Sequence, residues 1–432
     1  MKQQFACMEC GRSYPLTAVR YRCDCGEPLD IAYEGLQELG ITSALFDERL
    51  GTMTMPVASG VWRFRELLPS IADEYLVSRP EGNTNLYRVG AADVGGFRSV
   101  GDYAGIDWLR LKHEGENPTG SFKDRGMTVG VSQAAALGAN AVACASTGNT
   151  SASLASYAAQ ADIPCFVFIP EGNIALGKLA QTLAYGAITL QVQGDFDMAM
   201  GMVQQVCSEM GIYLVNSVNP FRIEGQKTIA FEMLQQLGWE APDWVVLPAG
   251  NLGNTSAIGK ALLQARDLGL ISSVPRIAAV QASGANPFFQ SFQTGFSERF
   301  TVEAHTVASA IKIGAPVSYA RARRMIKETN GTVIQVEDAY ILEAKAVIDR
   351  AGIGCEPASA ASLAGARQLA ELSVIDKDQR VVCILTGNIL KDPDTTISYH
   401  MDDTGDAKRY VNQPVVVGSD IDDVRRTIES YL

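Results

Sequence analysis

From about residue 105 the chain repeats one unit: a short apolar run, a turn of Gly, Asn, Ser or Pro, and a longer helix-patterned stretch. The runs are Ala141-Val-Ala-Cys-Ala145, Cys165-Phe-Val-Phe-Ile169, Ile188-Thr-Leu-Gln-Val192, Tyr213-Leu-Val215, Trp244-Val-Val-Leu247, Ile277-Ala-Ala-Val280 and Val381-Val-Cys-Ile-Leu385. Continuous rather than alternating apolarity predicts strands buried on both faces, and the helices between them predict parallel pairing. The fold class this implies is α/β with parallel-rich sheets. In such sheets ligands sit beyond the carboxyl ends of the strands. Three turns are therefore candidate sites: Ser146-Thr-Gly-Asn-Thr150, Gly250-Asn-Leu-Gly-Asn254 and Thr386-Gly-Asn388. After residue 403 come a polar stretch, a short expected strand at Pro414-Val-Val-Val417 and an amphipathic helix, which together read as a packing extension without chemistry.

At 432 residues the chain exceeds one ordinary core, and two domains with a small appendage are expected. Apolar residues make up 47% and charged residues 19%, a soluble globular balance. No apolar run reaches the roughly 18 to 20 residues of a membrane-spanning helix, which excludes a membrane partner of that kind. A net charge of −12 opposes nucleic-acid binding. The opening Met1-Lys-Gln-Gln-Phe-Ala-Cys7 lacks the apolar core and cleavage site of a signal peptide, so a cytoplasmic protein is expected. Its nine cysteines should then be reduced, and Cys144, Cys165, Cys207, Cys355 and Cys383 are expected as buried small hydrophobes. None of the three histidines, His113, His305 and His400, is near a Ser or Cys nucleophile in sequence, which gives a hydrolytic triad no support.

The other four cysteines form Cys7-Met-Glu-Cys10 and Cys23-Asp-Cys25, separated by 12 residues. Four thiolates at that spacing can close a tetrahedral structural zinc site. The second pair is tighter than the usual Cys-x-x-Cys, and the alternative is four reduced thiols in a small loop. A segment of about 35 residues has too little core to order itself without a staple, which favours the metal.

The segment Asn117-Pro-Thr-Gly-Ser-Phe-Lys-Asp-Arg125 breaks regular structure and then places Lys123 at a helix opening. Desolvation and the field of the helix end lower an amine's pKa there, as covalent amine chemistry and proton transfer require. Taken alone, such a lysine is a solvated surface group, and the Gly250–Asn254 turn is equally an ordinary strand-to-helix connection. Further strings follow in order: Ser146-Thr-Gly-Asn-Thr150, Pro170-Glu-Gly-Asn-Ile-Ala-Leu-Gly-Lys178, Asn216-Ser-Val-Asn-Pro-Phe-Arg-Ile-Glu-Gly-Gln-Lys-Thr228, Pro248-Ala-Gly-Asn-Leu-Gly-Asn254, Glu356-Pro-Ala-Ser359 and Leu385-Thr-Gly-Asn-Ile-Leu-Lys-Asp-Pro393. Together, across residues 112 to 393, they resemble the fold-type II pyridoxal-phosphate enzymes, and among those the threonine synthases.

The resemblance implies a large cofactor-binding domain of residues 36–110 and 216–403 and a smaller α/β domain of 111–215. These are flanked by a zinc-ribbon-like segment (1–35) and a C-terminal extension (404–432). It implies that Lys123 carries pyridoxal 5'-phosphate, that Asn149 meets the cofactor's phenolic oxygen and that Thr386 meets its ring nitrogen. Gly250, Asn251, Leu252, Gly253 and Asn254 would wrap its phosphate, in keeping with the N–H groups that a Gly/Asn turn presents at a helix N-terminus. Ser146, Thr147, Thr150, Asn216, Ser217 and Arg222 would hold the phosphate of the substrate, O-phospho-L-homoserine. The implied activity is its elimination and hydration to L-threonine and phosphate, by a homodimer. The alternatives are a serine/threonine dehydratase or another β-replacing relative, and a catalytically silent zinc-bearing interaction protein. A dehydratase needs no second anion site, so residues 216–222 discriminate. Gly172-Asn-Ile-Ala-Leu-Gly-Lys178 has the spacing of a nucleotide-binding loop, but Leu179 stands where a Mg²⁺-binding Ser/Thr is required. Thr386 is neutral and cannot enforce protonation of the ring nitrogen as a carboxylate would. Ile389 replaces a glycine expected in that turn.

Overall fold

The computed structural model describes residues 1–93, 97–171, 176–194, 196–401 and 408–432, with only the backbone for 176–178, 196 and 197. The nucleotide-loop string at 172–178 therefore lies outside the described residues, apart from the backbone of its last three positions. Among the described residues thirteen strands form three sheets. Strands β1 (Lys2–Cys7), β2 (Ser13–Tyr14) and β3 (Leu29–Glu34) make an antiparallel ribbon in the order β2-β1-β3. β4 (Leu86–Arg88) and β5 (Trp108–His113) belong to the large sheet. β6 (Val142–Ala145), β7 (Cys165–Pro170), β8 (Ile188–Val192) and β9 (Tyr213–Leu214) form a parallel sheet of their own, ordered β8-β7-β6-β9. β10 (Trp244–Pro248), β11 (Arg276–Ala282), β12 (Thr332–Val336) and β13 (Arg380–Leu385) complete the large sheet, ordered β12-β11-β10-β13-β5-β4. It is parallel except for the antiparallel edge strand β4.

The large sheet is buried on both faces because successive residues of its strands feed two different cores. Trp244, Val246, Val381 and Cys383 join one apolar cluster with the helix Pro357–Glu371, while Val245, Leu247, Val382 and Ile384 join another. Every strand expected between residues 141 and 385 forms, within two residues at either end, and all five non-clustered cysteines are buried and unpaired. β8 departs from the expectation of two covered faces: it is the edge of its sheet, and Ile188 and Leu190 are exposed. The expected strand at 414–417 does not form, because no ladder partner lies beside it among the described residues, and Val415 and Val416 are exposed. The helix Ile421–Glu429 does form and buries none of its residues, whereas Tyr410 earlier in the tail packs half-buried against the core of the large sheet. Among the described residues no helix is long and apolar enough to cross a membrane.

One helix contact positions the chemistry. The helix Lys123–Ala136 meets the helix Pro220–Gln226 so closely that a Cβ on Gly225 would lie 1.8 Å from the Arg125 carbonyl oxygen, and one on Gly126 3.0 Å from that of Arg222. Glycine at both positions lets the two backbones touch. The lysine and Arg222 are thereby fixed relative to each other.

Candidate active site

Lys123 opens its helix at the carboxyl end of β5, two residues past a stretch that pairs directly with the turn after β13. Ser121 and Gly387 form an antiparallel bridge, Phe122 N donates to Thr386 O at 3.0 Å, and Asn388 N donates to Gly120 O at 2.9 Å. The buried Asp124 carboxylate accepts from Thr119 N at 2.7 Å and Thr119 Oγ1 at 2.6 Å, which locks the Asn117-Pro-Thr turn. The amine of Lys123 lies 4.0 Å from the centre of the Phe122 ring. Burial, then the positive charge of Arg222, push it down to about 7, while Glu356 pulls in the other direction. Lys123 thus stands at the helix opening, desolvated as expected, with the positive charge of Arg222 beside it that no local string revealed.

The turn after β13 faces the start of the helix Asn149–Gln160 through Glu356, a residue to which sequence reasoning gave no role. Asn149 Nδ2 donates to Glu356 Oε2 at 3.0 Å, and Thr386 Oγ1 donates to Oε1 at 3.2 Å. Ser359 Oγ accepts from Thr386 N at 2.8 Å and Gly387 N at 2.9 Å, pinning the turn. Gly387 must lack a side chain, since a Cβ there would fall 2.4 Å from the Glu356 carboxyl carbon. Burial raises the Glu356 pKa, and Asn149 is the largest influence against it. Glu356 thus joins Asn149 and Thr386, which the sequence reading placed on opposite edges of one ring.

The loop after β10 has the makings of an anion cradle. Leu252 takes a left-handed φ of 64° just before the helix Gly253–Asp267, and Gly250 presses on Ile311, where a Cβ would come 3.0 Å from that Cα. Both amide atoms of buried Asn254, and Thr255 Oγ1, have no hydrogen-bond partner. Orphaned buried polar atoms are costly. At a helix N-terminus, where backbone N–H groups also lack intrahelical partners, they fit a phosphate dianion.

The second cluster centres on Arg222, which is 1% exposed. Its Nη1 donates to Val215 O at 3.3 Å, its Nε has no partner, and no carboxylate lies within ion-pairing distance among the described residues. Burial lowers its pKa to about 10. Asn216 spends its amide on the end of β6, accepting from Ala145 N and donating to Ala145 O, each at 3.0 Å. That bond ties the 216–222 segment to Ser146, Thr147 and Thr150, all half-buried like Ser217. At the other end of the chain, the ligand atoms of Cys7, Cys10, Cys23 and Cys25 all lie within 4.8 Å of one another.

His113 spends both ring nitrogens on the backbone: its Nδ1 accepts from Gly115 N at 3.1 Å, so Nε2 donates to Gly354 O at 2.7 Å. Residues 77–387 match the family model described as pyridoxal-phosphate dependent enzyme. Threonine synthase of Methanocaldococcus jannaschii is 43% identical over 425 residues, 98% of each chain. That of Methanosarcina acetivorans is 44% identical over 427 residues, again 98% of each. The structure of maize serine racemase superposes with a TM-score of 0.61 at 21% identity, covering 77% of this chain and 94% of that one, a likeness of fold. With a desolvated lysine, a helix-opening loop with unfilled hydrogen bonds and a family match over most of its length, the chain belongs to the family of pyridoxal-phosphate dependent enzymes.

Proposed function

We propose that the protein is a threonine synthase, which releases phosphate from O-phospho-L-homoserine and adds water to give L-threonine. The observation that carries this reading is Arg222, a buried guanidinium with an unfilled Nε and no carboxylate partner among the described residues. A cation in that condition calls for an anion from outside the chain. Its donors are not those of the loop at 250–254, and the two groups together offer places for two phosphates, as a phosphorylated amino acid on a phosphorylated cofactor requires. The near full-length relatives are both named threonine synthase.

Pyridoxal phosphate, held at Lys123, supplies an electron sink that acidifies the substrate's Cα proton. The chain does the rest. Lys123, at about 7, is poised to take and return that proton near neutral pH. Gly250 to Asn254 hold the cofactor's phosphate, Asn149 its phenolic oxygen and Thr386 its ring nitrogen, with Glu356 fixing the last two. Arg222, Ser146, Thr147, Thr150 and Ser217 hold the substrate's phosphate, and Asn216 keeps the two halves of that clamp together. Cys7, Cys10, Cys23 and Cys25 hold one structural zinc. Nine unpaired cysteines support a reducing cytoplasmic setting, and a homodimer is the assembly the family resemblance supports.

The test is an absorbance spectrum of purified protein with and without O-phosphohomoserine, beside a phosphate-release assay. Lys123→Ala should lose both the visible band and turnover; phosphate release at the normal rate would defeat the assignment. Keto acid from threonine, with no phosphate from O-phosphohomoserine, would make the protein a dehydratase.

A further inference from the structure

The proposed activity leaves the cysteine ribbon without a task, yet the ribbon is built against the substrate-phosphate clamp. Cys7 Sγ lies 3.5 Å from Cys25 Sγ, and Cys10 Sγ 3.4 Å from Cys23 Sγ. Those separations are too long for disulfides and close to the roughly 3.8 Å between thiolates bound at about 2.3 Å to one tetrahedral zinc. Three aromatic residues on the same ribbon reach the segment 213–224. Tyr21, two residues before Cys23, accepts a hydrogen bond from Leu214 N at 2.8 Å and meets Tyr213 edge-on, ring centres 5.9 Å apart. Phe5, two residues before Cys7, meets Phe221 edge-on at 5.8 Å, beside Arg222. Tyr33 on β3 donates to Glu224, whose other oxygen takes Lys260 Nζ at 2.5 Å. Lys260 also binds Asp30 at 2.9 Å, so β3 is clamped to the helices that carry the clamp arginine and the cofactor-phosphate loop. Cys7 and Cys23 are buried in one apolar cluster with Phe5, Leu29, Ile31 and Phe221.

We propose that the ribbon is a metal-held brace for the clamp: zinc on the four cysteines keeps Phe5, Tyr21 and Tyr33 in place, and through them sets how tightly residues 213–224 hold a phosphate. The inference rests on the proposed role of that segment. A ribbon of this length has too little core to keep its shape without the metal. Its loss removes an acceptor from Leu214 N and aromatic supports from Tyr213 and Phe221, while the Lys123 segment keeps its bonds to the turn after β13 and Asn251 of the 250–254 loop keeps those from Val317 and Ser318.

The experiment compares protein carrying cofactor before and after zinc is stripped with a chelator. About one zinc per chain is expected at the start. After stripping, amide exchange over 213–224 should rise, affinity for inorganic phosphate should fall about tenfold, and the cofactor band should stay. Tyr21→Phe, which keeps the ring and the metal, should lower phosphate affinity by about two- to fivefold with zinc retained. Purified protein without metal overturns the proposal, as does stripping that changes neither exchange nor phosphate affinity. Loss of cofactor together with phosphate also overturns it, because the ribbon would then support the whole fold. Exchange that responds to zinc in a protein that never binds phosphate would keep the brace and sink the reading of 213–224 as a clamp.

Discussion

Arg125 and Arg222 are both buried, on the two helices that touch at Gly126 and Gly225, and they are provided for in opposite ways. Arg125 Nε binds Glu114 at 2.6 Å, and its Nη2 binds Glu114 and Glu232 at 2.8 Å each. Glu232 in turn takes Lys112 Nζ at 2.6 Å and Thr84 N at 3.0 Å. These carboxylates hold the Arg125 pKa well above its ordinary value, although burial opposes them. Arg222 has one backbone carbonyl and a pKa lowered by burial. The first arginine is part of the scaffold because its charge is already spent. The second has no carboxylate to meet its charge among the described residues, the condition the proposed phosphate clamp requires.

The largest effect expected from breaking this contrast is on Arg125. Arg125→Met leaves Glu114 buried without its cation and should cost about 3–5 kcal/mol, a large share of a domain's stability. Chemical denaturation reads it, and adding Glu114→Gln should restore part of the loss. Arg222→Met should do the reverse. It removes a buried charge with no partner, so stability should hold or rise, while kcat/KM for O-phosphohomoserine should fall about 10²- to 10³-fold, roughly 3–4 kcal/mol. An Arg222 variant that unfolds with its substrate affinity intact would erase the distinction between the two residues.

The same contrast explains what was legible in the sequence. Strands β6, β7, β10, β11 and β13 announce themselves because their residues are apolar on both faces. β5 does not, since Arg110, Lys112 and His113 interrupt Trp108–His113, yet all three are buried. Their charges and polar atoms are met by Asp93, Glu232 and Gly354 O, partners that are distant in the chain. A pattern of apolar positions cannot see a charge that is cancelled in three dimensions. The Gly/Asn turns were visible because their composition is local. Glu356 was not, because its role depends on Gly387 leaving room for its carboxylate beside Asn149 and Thr386. Pro414–Val417 failed for the converse reason: its pattern is apolar but no strand lies beside it among the described residues.

Lys123 extends the comparison to a charge that is meant to be lost. Its amine, at about 7 in the folded chain against 10.5 for free lysine, binds fewer protons folded than unfolded between those values. Stability of the cofactor-free protein should therefore rise with pH across that window. Lys123→Met removes the penalty, so it should stabilise the apoprotein most at pH 7 and below, with the gain fading toward pH 10.5. Denaturation curves of both proteins at pH 7 and pH 10 check this. An equal gain at the two values would mean that the amine is not desolvated.

Glu356 offers the smallest and sharpest test, because it is a buried acid held by neutral donors and so stands between the two arginines. Its field acts on Lys123, raising the pKa of that amine against burial and Arg222. Glu356→Gln keeps the shape, accepts from Asn149 through its remaining oxygen, donates to Thr386 Oγ1 through its amide nitrogen, and removes the field of an ionised carboxyl. The midpoint for reaction of Lys123 with an amine-selective reagent, measured in the apoprotein, should then move down by about half a pH unit. Burial raises the pKa of Glu356, so the opposite result is equally informative. An unchanged midpoint would mean that Glu356 is already protonated in the cofactor-free protein. Thr386 would then sit beside a neutral carboxyl, with no anion at that end of the site to draw a proton onto the ring nitrogen.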